Sequence, residues 1–400
     1  MIYDNIIIGA GIAGLYTVYM LLQKNPNQTF IILEENSKKD IGGRIVVNKF
    51  HGVDVLGGAG IGRFNKDTLL KNLLDELKIS YNKFTISSQF SKTFTNPVEV
   101  LKTFKFLKKE YIKNKKDISF KEFAISKLGV EEYNNFRKST AYSDFENEDV
   151  HDTLYYYGMD DNTTGWIGMS IPWLKLLDKM KEKIGIKNIV NDCKVTKITK
   201  INDNVFTIDS NINQYYGKKI WIATTIDSIK KLLKNPEQKL IYNQIKGQPF
   251  LRVYAKFSGE SKKIMKQFVN ITTIVPTSIY RIIPMSNDVY MVVYSDNRGA
   301  NFMNNLINND NKKYENLANF IKNSLGISKD FNLIIDDLIV FYWKIGTHFY
   351  KPLSKDFKSR IEFINKAQHP DKNIYIVGEV VSINQGWVEG SLESVHKLLK

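Results

Sequence analysis

Three glycines and one acid near the start of the chain have the types and spacing to hold a dinucleotide. Gly9, Gly11 and Gly14 spell G-x-G-x-x-G after a short apolar strand, Asn5 to Ile8. A helical stretch follows, and then a second apolar strand, Phe30 to Leu33, runs into Glu34. Gly9 permits the tight turn, Gly11 lets the backbone approach a pyrophosphate, and Gly14 lets the helix pack against the strand. The helix N-terminus presents unpaired N–H groups and a positive dipole end to the phosphates. Glu34 stands 20 residues beyond Gly14, where a carboxylate accepts from both ribose hydroxyls and repels a 2′-phosphate. NADP is therefore disfavoured.

Gly42-Gly43-Arg44 follows the second strand. The pattern resembles FAD-binding proteins of the glutathione-reductase type. In these the glycines turn the chain beside the cofactor and the arginine supports the phosphate side.

The elements that must position these residues are spread over the whole chain. Its 400 residues suggest two domains with ample core. No run of about 18 apolar residues exists, so no membrane span is expected. The strand at residue 5 is expected to leave no room for a signal peptide, and an intracellular, cytoplasmic location follows as the default. The single cysteine, Cys193, excludes an internal disulfide and a cysteine-built metal site. The five histidines lack metal-ligand spacing, so no metal is expected. The net charge of +15 reads as lysine-rich solvated faces. The densest basic stretch, Lys105 to Lys116, reads as a helix with Phe104, Leu107 and Tyr111 inward. It lacks the aromatic–basic interleaving of RNA-binding surfaces, so neither nucleic acid nor membrane is expected as a partner.

Helical spacing marks Asp67 to Ile79, Pro97 to about Lys113, a helix capped by Ser119, one started by Pro172, and one at Ser391 to Leu399. Residues 142 to 161 read as acidic and irregular, and Asn301 to Asn316 as a loop followed by a helix. Strands are expected at Lys194 to Ile198, Val205 to Ile208, Lys219 to Ala223, Leu251 to Phe257 and Ile374 to Val377. A hairpin joins Ser278–Ile283 to Val289–Tyr294. The expected class is α/β (α+β overall). A Rossmann-like FAD-binding domain is assembled from 1–77, 171–246 and 367–400. A discontinuous substrate domain of mixed sheet plus helices takes 78–170 and 247–366.

Further motifs fall in one order: Asp54-Val55-Leu56-Gly57-Gly58-Ala59, Val195 opening a strand, Lys219 to Thr224, Ile376-Val377-Gly378-Glu379, and Gly386-Trp387-Val388-Glu389-Gly390-Ser391. Together they resemble the flavin-containing amine oxidase family, over essentially the whole chain. The resemblance implies that Gly9, Gly11, Ala13 and Gly14 hold the pyrophosphate, and that Glu34 holds the adenosine ribose. Gly43 and Arg44 lie near the phosphates, and Gly58 and Ala59 pass beside the flavin. Val195 meets the adenine, and Gly378 and Glu379 meet the ribityl–phosphate end. Trp387 and Val388 stand at the start of the last helix, against the flavin.

In that family an amine loses hydride from its α-carbon to flavin N5, and aromatic walls favour the neutral amine by desolvation. The resemblance makes Trp387 one wall. Trp343 and Tyr350, from a W-x-x-G-x-x-x-Y stretch, are the candidates for the other, with His348 third. Three departures stand out. Arg252 takes the place of a lysine that holds water at N5, and arginine cannot deprotonate there. Lys256, on the same strand, lies about 13 Å further on. Gly60 takes the place of an arginine that binds the carboxylate of amino acid substrates, with Arg63 three residues later. No cysteine occurs where monoamine oxidases link their flavin, so FAD is expected to bind non-covalently; attachment through His348 is the alternative.

The expected activity is oxidation of a small-molecule amine, with polyamines among the candidates, and oxygen or another acceptor taking the electrons. The acidic residues Asp144, Glu146 and Asp149 would then face a polyamine if that segment lines the entrance. An L-amino acid oxidase, another desaturase of the superfamily, or a catalytically weakened FAD-binding protein are the alternatives. The sequence assigns no oligomeric state.

Overall fold

The computed structural model describes residues 1–308 and 312–400, and it is organised by two large sheets. The first has seven strands with a parallel centre. Ile2–Ile8 lies between Phe30–Leu33 and Gln214–Ile222, and Ile374–Ile376 pairs with the latter. A parallel strand covered on both faces must be apolar throughout, and residues 5–8 and 31–33 are buried without a break. One face packs Ile7 and Ile32 against the helices Ile12–Lys24, Trp173–Ile184 and Val388–Leu399. The other packs Ile6, Ile8, Leu33 and Ile220 against Ile226–Leu232 and Arg360–Gln368.

The second sheet has six strands in the order Asp337–Tyr350, Ile245–Lys256, Val289–Asp296, Arg281–Pro284, Thr272–Ile274 and Ser88–Phe90. Helices Gly259–Phe268, Asn297–Asn308 and Lys313–Leu325 back it with Met265, Met303 and Ile321. Four further helices between Val100 and Tyr156 share a core of Phe120, Phe123, Phe136 and Phe145. This is the mixed α/β class expected from the sequence.

Two stretches differ from expectation. Asn297–Asn308 is a helix where a loop was expected, because Ala300, Met303 and Ile307 give it a buried face. The rest of that loop, 309–311, lies outside the described residues. The acidic stretch contains the helix Val150–Tyr156, whose N-terminus is capped by Asp149 accepting from the N–H groups of His151 and Asp152. Its acids Glu146, Glu148, Asp149 and Asp152 are buried rather than solvated. Among the described residues, no helix is long and apolar enough to cross a membrane.

Candidate active site

A cavity of about 1760 Å³ runs from the carboxyl ends of Ile2–Ile8 and Phe30–Leu33 to the face of the second sheet. The glycine turn and its acid form one part of the wall. Gly9 has a φ of +104°, and a Cβ there would stand 2.5 Å from the Ala223 carbonyl oxygen; at Gly14 it would stand 2.0 Å from the Gly9 oxygen. Only glycine fits either position. Gly11 is different: nothing lies within 4 Å of a Cβ built on it. Its backbone fronts open cavity where the first helix begins, and no side chain caps that helix. The Glu34 carboxylate accepts from the N–H of Ala10 at 2.7 Å and from Asn36 at 2.9 Å, which fixes it at the cavity edge.

Gly43, Arg44, Gly58, Ala59, Val195, Gly378, Glu379, Trp387 and Val388 line the same cavity, as do Ala13 and Cys193. The fold thus gathers every expected cofactor residue except Gly14, which packs beneath them. The last helix opens at Val388 with no side-chain cap, so its N–H groups face the cavity. Two helix N-termini, an anchored carboxylate and an open backbone cradle fit a dinucleotide, with pyrophosphate at Gly11 and ribose at Glu34.

Glu379 gathers three donors: Arg44 Nη1 at 2.9 Å, the Gly386 N–H at 3.0 Å, and His348 Nδ1. Burial acts to raise its pKa, but His348, then Arg44 and the Gly386 N–H, overcome this and hold it well below the ordinary carboxylate value. His348 Nε2 accepts from the Ile226 N–H at 3.2 Å. With both ring nitrogens engaged, His348 positions Glu379. It does not line the cavity.

Segment Leu56–Gly60 is pinned through its carbonyls. Leu56 O accepts from Arg252 Nη1 at 3.0 Å and from Tyr254 Oη at 2.8 Å. Gly57 O and Gly60 O each accept at 2.7 Å, from the indoles of Trp343 and Trp173. On the second sheet Phe250, Arg252 and Tyr254 alternate into the cavity, as the strand period requires. Lys256, further along, sits near the surface and pairs with Asp288 at 3.7 Å.

Tyr350 is a correction. It does not reach the cavity: its hydroxyl donates to Ser382 O at 2.9 Å, and its ring packs on Phe363 and under Arg360. Thr347 faces the cavity, and three residues further along a regularly paired strand the side chain points the other way. Sequence reasoning missed Asp67. Fully buried, it accepts from Trp387 Nε1 at 2.8 Å and from Arg63 Nε at 2.9 Å, and so sets the indole that faces the cavity. Arg63 also pairs with Asp161 at 3.0 Å, which leaves it neutralised. Of the acids expected to face a polyamine, only Asp144 lines the cavity. Glu146 accepts from Tyr133 Oη at 2.8 Å, and Asp149 caps its helix.

Asp149, His151 and Asp152 come close enough for their ligand atoms to lie within 4.8 Å of one another, although no metal was expected. Arg360 already pairs with both acids, its Nε 2.5 Å from Asp152 and its Nη2 3.6 Å from Asp149.

The cavity and both sheets have counterparts in solved structures. Wild-type putrescine oxidase bound to putrescine superposes with a TM-score of 0.76 at 12% identity, covering 100% of this chain and 98% of that one. Cyclohexylamine oxidase from Brevibacterium oxydans IH-35A gives 0.75 at 14% identity, with the same coverage. The chain has the fold of the FAD amine oxidases. No family model matches its sequence. A similar sequence, the uncharacterized protein R188 of Acanthamoeba polyphaga mimivirus, is 29% identical over 126 residues, covering 28% of this chain. The match spans about a quarter of that relative's length (24%). Within the amine oxidase fold, conserved architecture at such low identity leaves the chemistry to be argued from the side chains themselves.

Proposed function

We propose that the protein is an FAD-dependent oxidoreductase that oxidises an amine to an imine, which water then hydrolyses to an aldehyde or ketone. The observation that carries this reading is the continuity of the cavity. The cradle at Gly11 and Glu34 opens without a wall into the chamber lined by Arg252, Trp343 and Trp387. In this reading residues 1–77, 171–246 and 367–400 hold the cofactor, and 78–170 and 247–366 cover it. Bound FAD supplies the acceptor for the hydride leaving the amine's α-carbon.

The chain's own residues do the rest. Trp343 and Trp387, each held by its indole N–H, form apolar walls that desolvate an ammonium and favour the reactive neutral amine. The last helix directs its N-terminus at the cavity and favours negative charge there. Arg252 orients by hydrogen bonds and cannot take a proton, so a role in proton transfer falls to water or substrate. Neither nitrogen of His348 is free for a covalent link, which supports non-covalent FAD. The protein works as a soluble, cytoplasmic enzyme, and the electrons pass to oxygen, giving hydrogen peroxide, or to another acceptor.

The test is anaerobic mixing of the flavin-loaded protein with amines, polyamines and amino acids while the visible flavin band is followed. Bleaching by one class is expected, and admitting air then shows whether oxygen reverses it. A flavin that dithionite bleaches but no amine does would refute amine oxidation.

A further inference from the structure

The chamber beyond the glycine cradle carries two guanidinium groups that, among the described residues, make no ion pair with a carboxylate. Arg252 is 3% exposed, and Arg281 stands two strands away on the same sheet. Arg252 Nη1 donates to Leu56 O, and Arg281 Nη2 donates to Thr140 O at 3.0 Å. The Nε of each is buried without a partner. Arg44, Arg63 and Arg360 all have carboxylates within ion-pair distance; among the described residues Arg252 and Arg281 have none.

These two groups are joined by a pair of tyrosines. Arg252 lies 5.0 Å from the Tyr294 ring centroid, and Arg281 lies 4.3 Å from that of Tyr142. The two rings meet edge to face at 5.7 Å, with their hydroxyls 3.4 Å apart. All four side chains line the cavity. Across from them, a Cβ on Gly60 would stand 3.1 Å from Arg252 Nη2, so the glycine leaves that end of the guanidinium its space. The one carboxyl of this wall, Asp144, accepts from Tyr157 Oη at 2.6 Å and makes no ion pair with Arg281.

A buried, permanently charged group without a counter-charge is costly. Stacking on a ring holds a guanidinium in place and leaves its in-plane N–H donors free for a planar acceptor. We infer that the row Arg252–Tyr294–Tyr142–Arg281 binds an anionic group of the substrate, a carboxylate carried by the same molecule as the amine. The inference rests on the amine-oxidation reading for its substrate and narrows it. Two fixed cations in the chamber repel the second ammonium of a diamine and attract the carboxylate of an amino acid.

Two measurements test it. Isothermal titration of the flavin-loaded protein compares an unreactive aliphatic carboxylate with its neutral amide of equal length. The carboxylate is expected to bind at least tenfold tighter, and Arg281→Gln to abolish most of that preference. Arg281→Lys, which keeps the charge but loses the planar fork, should restore part of it. Equal binding of acid and amide, or a preference untouched by Arg281→Gln, overturns the inference. Turnover then compares amino carboxylates with their decarboxylated amines, and at least tenfold higher kcat/KM is expected for the carboxylates. Turnover favouring plain amines or diamines overturns the inference while leaving amine oxidation intact. Carboxylate binding without turnover of any amine overturns amine oxidation while leaving the anion row in place.

Discussion

Two carboxyls on or beside the cavity are driven in opposite directions by their neighbours. Glu379 is held low by donors on every side, whereas burial pushes Asp144 up to about 6, against the hydrogen bond from Tyr157 and the charge of Arg281. The sign of the consequence at Asp144 is fixed by linkage. A carboxyl whose pKa is raised on folding contributes its stability below its unfolded value of 3.8, and that stability is lost as pH rises through about 6. Asp144→Asn keeps an acceptor for Tyr157 and cannot ionise. The variant is therefore expected to gain on the wild-type protein between pH 4.5 and 7.5, measured as the difference in urea midpoints at the two pH values. A constant difference would mean that Asp144 does not titrate in this window. The residues nearest the motifs were legible in the sequence: Glu34, Arg44, Glu379 and Trp387 all reach the cavity. Tyr350 was not, because its facing depends on the local pairing of Asp337–Tyr350. The strand is irregular opposite Gln248–Phe250 but regular from Thr347 to Tyr350, so the motif match put Tyr350 forward where the alternation of the strand turns it away.

Elements with strong periodicity came close to their expected bounds. Phe30–Leu33 matches its apolar run, Trp173–Ile184 starts after Pro172, and Ser119 caps Phe120–Leu128 through a capping box with Glu122. Elements stabilised by distant partners did not. The stretch holding Asp149 and Asp152 read as irregular because the counter-charge of those two acids, Arg360, arrives from far along the chain, 208 residues beyond Asp152. The same non-local logic operates between two helices. Glu389, in the first turn of Val388–Leu399, accepts from the N–H groups of Leu69 and Leu70 at 2.7 and 2.9 Å. It thereby caps Thr68–Glu76, whose own Asp67 makes no side-chain cap bond and instead serves Arg63 and Trp387. One carboxylate thus fastens the helix that faces the cavity to the helix beneath it. Glu389→Ala leaves one buried and one part-buried donor unpaired and is expected to cost about 1–3 kcal/mol, read as a lower urea midpoint at unchanged slope. Glu389→Gln, which still accepts, should recover about half. A midpoint unchanged by Glu389→Ala would show that water replaces the cap.

At the scale of the molecule, the cavity is where the two sheets meet, and its walls come from residues between Ile8 and Ser391. A dinucleotide seated there would touch segments far apart in sequence, and a ligand that binds only the folded chain stabilises it by mass action. At a concentration 100-fold above Kd this amounts to about 2.7 kcal/mol. Gly11 offers a clean way to separate that contribution from the stability of the chain itself. Its backbone is extended, at φ −71° and ψ 175°, so any residue can adopt it, and nothing in the protein lies within 4 Å of a Cβ added there. Gly14, inside the helix, lacks the second freedom, because a Cβ there meets the Gly9 carbonyl oxygen inside contact distance. Gly11→Val should therefore lower the Tm of the flavin-free protein by only a few degrees, the cost of a poorer N-cap, yet fill the cradle that the pyrophosphate needs. Adding FAD should raise the wild-type Tm by several degrees and leave that of Gly11→Val unmoved. Gly14→Ala should lower the Tm with or without FAD, as a fold-breaking change would. A Gly11→Val protein that still gains the full FAD increment would place the dinucleotide elsewhere. The proposed path from the glycine cradle to the tryptophan chamber would then lose its starting point.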